Sequence, residues 1–195
     1  MSTIPVQQTA RKGLTTKEIV ITGMSAATMA VISQISLPMP TGMPITIQVF
    51  GIALIGAVLG WKLGFFAILS YILLGAVGLP IFAGFNGGLS VLLNITGGYI
   101  WSWPIMVLLC GVRPKSASRL TNSVIVIACA ILGLIINETA GGLQWAALAG
   151  NMSVKAVFVY SMTAFIPKDT ILTILAVLIG GRIRKTLVRA GFLNA

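Results

Sequence analysis

Histidine is absent from this chain of 195 residues, and the acidic side chains number 3: Glu18, Glu138 and Asp169. These absences exclude a good deal of chemistry. A Ser-His nucleophile or a histidine-rich metal centre needs an imidazole. An intramembrane aspartyl protease needs two aspartates, and Asp169 stands alone. There is no Gly-x-x-x-x-Gly-Lys-[Ser/Thr] loop, so ATP hydrolysis by the usual phosphate-cradling route is not expected. The two cysteines, Cys110 and Cys129, fall inside apolar runs and read as small buried hydrophobes without metal-ligand spacing. No enzymatic activity, cofactor or metal is expected.

Charge is scarce as well. Charged residues make up 8% of the chain and hydrophobic ones 57%, against roughly 25% charged in a soluble domain. The pattern is that of a single all-α integral membrane domain over 1–195. Apolar runs lie at 19–37, 45–60, 63–79, 95–112, 120–141, 154–166 and 170–183. A spanning helix needs about 20 residues. The run 154–166, at about 1.5 Å per residue, covers roughly 20 Å of a hydrocarbon core of about 30 Å. Pro167 is expected to block its continuation, so it reads as an interfacial or partly inserted helix. Six transmembrane helices remain in a bundle over 19–183, with 1–18 and 184–195 as cytoplasmic ends. The run from residue 19 is too long for a signal-peptide core and reads as a retained first span.

The net charge of +10 supports that topology. With both termini cytoplasmic, Arg11, Lys12, Lys17, Lys62, Arg113, Lys115, Arg119, Arg182, Arg184, Lys185 and Arg189 lie inside, leaving Lys155 and Lys168 outside. A seventh span would send Arg182-Ile-Arg-Lys185 outward. Cations clustered between apolar runs are a topology signal and not a nucleic-acid face. A multi-pass protein of a prokaryotic plasma membrane, in contact with the lipid bilayer, is expected.

Three elements interrupt the apolar pattern on the external side. The first is Gly78-Leu-Pro-Ile-Phe-Ala-Gly-Phe-Asn-Gly-Gly88. Irregular backbone at membrane depth is tolerated where protein buries it or where it lines a cavity. Asn86 is either a turn residue in a left-handed conformation or an amide offered to a solute, with Gly87 and Gly88 letting the solute approach the backbone. The second element is Thr96-Gly-Gly-Tyr99, where Tyr99 is an interface aromatic or a cover for a ligand ring. The third is Pro167-Lys168-Asp169. Asp169 is either an acid at a helix start or a carboxylate accepting N–H donors, such as those of a cyclic urea. The proline-rich stretch from Pro38 to Gln48 is a lid or a rigid connector. In the first run, Gly23, Ala26, Ala27 and Ala30 form a small-residue face suited to internal packing or to docking another subunit.

The glycine loop and Thr96-Gly-Gly-Tyr99 resemble the BioY family, the biotin-binding S components of energy-coupling factor (ECF) transporters. Pro44-Ile-Thr-Ile-Gln48 is similar to the family's loop before the second span, and Ala26-x-x-x-Ala30 to its docking face. The resemblance implies an S-component fold that captures biotin, or a related small molecule, at the external face. It implies a transmembrane coupling subunit and two ABC-type ATPases as partners. It also implies contacts from Asn86 and Asp169 to the ureido ring, with Tyr99, Gly87, Gly88 and Gln48 around the pocket. The family motif Pro-Gly-Asp-Leu-Ile-Lys reads Pro167-Lys-Asp-Thr-Ile-Leu172 here. Leucine stands where a ligand-contacting lysine is usual, and Lys168 is the candidate to supply the charge.

Overall fold

The computed structural model describes residues 13–40, 42–114, 118–148, 150 and 153–193. Most of the expected cytoplasmic N-terminal segment, including Arg11 and Lys12, lies outside them. So do Lys115, the end of the tail, and residue 41 of the proline-rich stretch.

Helix α1 (Thr16–Ser33) begins with a reciprocal cap: the Thr15 side chain accepts from Glu18 N–H, and Glu18 accepts from Thr15 N–H at 2.8 Å. It stops four residues before the end of its apolar run. Ser36–Leu37 (β1) instead pairs antiparallel with Ile45–Thr46 (β2), in register Ser36 to Thr46. Pro38 and Pro40 stand between these strands, where a helix could not continue. The all-α expectation therefore gives way locally to a small hairpin.

Then follow α2 (Gln48–Leu59), α3 (Trp61–Ala76), a 3-10 turn (Ala83–Phe85), α4 (Leu89–Leu93), α5 (Gly97–Cys110) and α6 (Arg119–Leu148). Helix α7 (Val154–Tyr160), a π-helical turn (Ser161–Phe165) and α8 (Ile166–Arg189) complete the chain. Leu120–Leu148 and Val154–Arg189 are long and apolar enough to cross a membrane, while α2, α3 and α5 are shorter apolar helices.

The last element corrects an expectation. The run 154–166 is not a separate interfacial helix: with α8 it makes one continuous 36-residue helical element. Pro167 does not break it because the preceding turn is π-helical, with Ile166 N–H reaching back to Ser161 O. The wide turn carries the chain to a proline at the first positions of α8, where a missing N–H costs little.

Helix α2 is the hub. Nine of its 12 residues are buried, and α1, α3, α5 and α8 surround it. An element apolar on every side belongs in the centre of a bundle. Where lipid replaces water, close packing rather than hydrophobicity holds such helices together. Gly56 shows how close: a Cβ there would sit 2.8 Å from Cys110 Cβ. Helices α2 and α8 run in the same direction, with Gly180 of α8 against Ala57. Arg113 and Arg184 close the far end by donating to the last carbonyls of α2, Ala57 O and Val58 O, at 3.0 Å each. This orientation puts the starts of α2, α5 and α8 at one end of the bundle and the arginines at the other.

Ala26 is 5% exposed and packs into the protein's own core, with Ala30 partly buried beside it. The outward small residues of α1 are Gly23 and Ala27. The docking face read at Ala26 and Ala30 is thus turned inward at Ala26.

Candidate functional site

A cavity of about 760 Å³ opens at the end of the bundle away from the arginines, within the range of small-molecule sites. Of the residues singled out in the sequence, Gln48, Asn86, Gly87, Tyr99, Lys168 and Asp169 all line it. They come from the starts of α2, α5 and α8 and from the glycine loop. Gly88 does not line it: with φ +95° it turns the chain into α4, and its N–H donates to Gly75 O at 2.7 Å.

The glycine loop is tightly built. Phe82 N–H donates to Asn86 O at 2.9 Å, closing a small turn. Gly87 is required by contact, since a Cβ would fall 2.4 Å from Leu79 O. Asn86 itself is extended, φ −82° and ψ 157°, which removes the left-handed turn from its two readings. Gly84 (φ +70°) and Phe85 (φ +57°) carry that role, the latter at the cost usual for a bulky side chain. The Asn86 carboxamide nitrogen donates to Ala83 O at 2.8 Å. This anchors the side chain by its nitrogen.

Gln34, at the end of α1, was not singled out by sequence, yet it ties the loop down. Its amide nitrogen donates to Ile81 O (3.2 Å) and Phe82 O (3.3 Å), and its oxygen accepts from Phe85 N–H (2.9 Å). Tyr71 O–H donates to Ile81 O at 2.8 Å. Nothing in the local sequence signals this, because the partners lie 47 and 51 residues away.

Tyr99 sits in the first turn of α5 with its ring over Gly141 of α6, where a Cβ would be 2.3 Å from the ring. It meets Phe165 edge-on at 6.5 Å. Trp145, Tyr160 and Phe165 form an aromatic floor behind it, with centroids 5.5 to 6.3 Å apart. Trp103 adds another ring to the wall.

Asp169 is 3% exposed and ion-paired with Lys168. The Lys168 ammonium also donates to Thr46 O of β2 at 2.7 Å. Lysine carries three N–H donors, so one remains beyond these two. Leu172 does not line the cavity. Lys168 precedes it by one helical turn on the same face of α8, so a cation faces the cavity from 168 and not from 172.

Glu138, which the sequence reading set aside, also lines the cavity and is 6% exposed. Its neighbours reach back to α5: the Ser102 hydroxyl lies 2.9 Å from Asn137 Oδ1, its one proton shared with Tyr99 O at 2.7 Å, and Asn137 Nδ2 donates to Glu138 Oε1 at 3.3 Å. Glu138 Oε2 has no partner. Buried carboxylate oxygens are costly to leave unpaired, so this atom is a functional signal that only the fold reveals.

The chain matches known proteins over most of its length. A protein of Pyrococcus horikoshii named "Probable biotin transporter BioY" is 36% identical over 168 residues, 86% of this chain and 96% of that protein. "Biotin transporter BioY" of Rhizobium etli is 31% identical over 175 residues, 86% of this chain and 92% of its own length. A crystal structure of the S-component for biotin from an ECF-type ABC transporter superimposes with a TM-score of 0.74. It covers 89% of this chain and 95% of its own, at 26% identity. The family model described as "BioY family" matches residues 6–189, and the chain belongs to that family.

Proposed function

We propose that this chain is the substrate-binding membrane subunit of an ECF-type importer, capturing biotin or a close relative with a cyclic urea at the external face. One observation carries the reading. Asn86, Tyr99, Lys168 and Asp169, spread over 84 residues of sequence, line one cavity together with the rings of Phe82, Trp103 and Phe165. The ring system would lie against Tyr99 and Trp103. Asp169 would accept a ureido N–H, and the Asn86 carboxamide would contact the same ring. The third N–H of Lys168 is free for the urea carbonyl or a ligand carboxylate.

In this reading α1, α2, α3, α5, α6 and the α7–α8 element are the six spans, and both termini are cytoplasmic. The short helices α2, α3 and α5 sit in a locally thinned bilayer. The arginine end then faces the cytoplasm, in accord with the positive-inside rule. Energy would come from two ABC-type ATPases through a transmembrane coupling subunit, and the chain itself would perform no catalysis. Docking would use the outward Gly23 and Ala27 of α1.

Equilibrium binding of labelled biotin to the purified chain tests the proposal. Saturable, competable binding without ATP is the expected result. Absence of binding for both biotin and its uncharged amide would refute it. A solute-free membrane scaffold is disfavoured by the buried polar groups facing the cavity, since a scaffold gives them no partner.

A further inference from the structure

Among the described residues lining the cavity there are two carboxylates, Glu138 and Asp169, and one cation, Lys168. Lys168 is already committed to Asp169 and to Thr46 O. Asp169 and Lys168 are both near enough to act electrostatically on Glu138. Glu138 is more than nine-tenths buried, and its Oε2 is unpartnered. Its other oxygen accepts from Asn137 Nδ2 at 3.3 Å, so one oxygen has a protein partner and the other, covered by its neighbours, has none. Among the described residues lining the cavity, one carboxyl therefore has an oxygen with no hydrogen-bond partner.

We infer that Glu138 is a second ligand-facing acceptor, and that the cavity is built for a head group presenting two N–H donors, a cyclic urea or a cyclic guanidinium. The inference rests on the cyclic-urea reading and extends it. A cyclic urea carries its two N–H groups on opposite edges of the ring, so two carboxylates on different helices, α6 and α8, are suited to take one each. Carboxylates accept and do not donate when ionised. A guanidinium in place of the urea keeps both donors and adds a positive charge, which a lining with two carboxyls and one ammonium favours. Charge-assisted hydrogen bonds of this kind are roughly twice as strong as neutral ones.

The test uses the full chain in lipid nanodiscs, with biotin and 2-iminobiotin, whose ring is a guanidine protonated at neutral pH. Glu138→Gln keeps the shape and removes the charge. The ratio of 2-iminobiotin affinity to biotin affinity should fall about tenfold or more relative to the unmodified protein. An equal loss for both ligands would reduce Glu138 to a structural role and overturn the inference, as would an unchanged ratio. A second measurement needs no variant: biotin methylated on one or the other ureido nitrogen should bind the unmodified protein at least about tenfold more weakly in both cases. Either methylated form binding like biotin overturns the two-acceptor arrangement while leaving the biotin-binding proposal standing. If neither biotin nor 2-iminobiotin binds the unmodified protein, the underlying reading fails first.

Discussion

Asp169→Asn is the substitution whose outcome follows most directly from the geometry. The side chain keeps its volume at a position 3% exposed, so no void is created. What changes is charge and acceptor capacity. In the native protein Asp169 holds Lys168, whose ammonium also donates to Thr46 O at 2.7 Å. An asparagine leaves that ammonium with a weaker, neutral partner. It also replaces one of the two acceptor oxygens facing the cavity by a donor. Losing a hydrogen bond to a charged group costs roughly 1.5–3 kcal/mol, or about 10–150-fold in affinity. The ligand should be uncharged biotinamide, because a ligand carboxylate would gain from the lost negative charge and mask part of the effect. Titration calorimetry in nanodiscs reads the affinity, and a thermal unfolding midpoint checks that the variant is folded. Binding within a factor of two of the unmodified protein, in a folded variant, would refute the assignment and return Asp169 to the role of a helix-start acid.

Asn86→Ala removes a neutral amide and should weaken biotinamide binding only about 2–12-fold, from a net hydrogen-bond worth of roughly 0.5–1.5 kcal/mol, measured in the same calorimeter. Gln34→Ala removes the side-chain partners of Phe82 O and Phe85 N–H and one of the two donors to Ile81 O, and should lower both the unfolding midpoint and affinity although Gln34 need not touch the ligand. Ala26→Trp should fail to fold because that position is inside the core, whereas Ala27→Trp should fold, bind ligand and lose capture of the coupling subunit. With the native cysteines replaced by serine, Lys155→Cys should react with an impermeant maleimide added outside cells, and Lys185→Cys only after permeabilisation; the reverse would overturn the topology.

The helical segments were legible because long apolar runs have few alternatives in a membrane, where backbone groups must be satisfied internally. Their ends were less so. Residues 36–37 belong to an apolar run yet pair with β2, because the prolines that follow make a turn cheaper than another helical turn. Pro167 was read by its local rule, a missing N–H and a clash with the preceding turn. The π turn at Ser161–Phe165 evades both objections, and nothing in that stretch announces a π turn. The small residues of α1 were recognisable as a set. Which of them faced inward depended on the rotation of the helix against α2 and α3, which no periodicity of small residues specifies.

The site divides in the same way, and the division has a physical cause. Asn86, Tyr99, Lys168 and Asp169 stand out because each interrupts an apolar pattern beside glycine or proline, where a sequence shows its irregular backbone. Glu138 lies in the middle of an unbroken 30-residue helix, so its neighbours in sequence make it look incidental. Its significance comes from Ser102 on α5, which orients Asn137, which in turn holds one of its oxygens. A mid-helix carboxylate in an apolar span is expensive, and that expense alone leaves open whether it is shielded or presented. The hydrogen bonds bear on the point: a carboxylate satisfied by the protein would have partners on both oxygens, whereas here one oxygen is partnered and the other is not, in a residue that lines the cavity. The same reasoning accounts for the position of Lys168, the one lysine among the described residues that line the cavity. Moving the cation one turn earlier on α8 places it between Asp169 and the hairpin carbonyl, where it offsets one carboxylate and leaves the second for whatever enters.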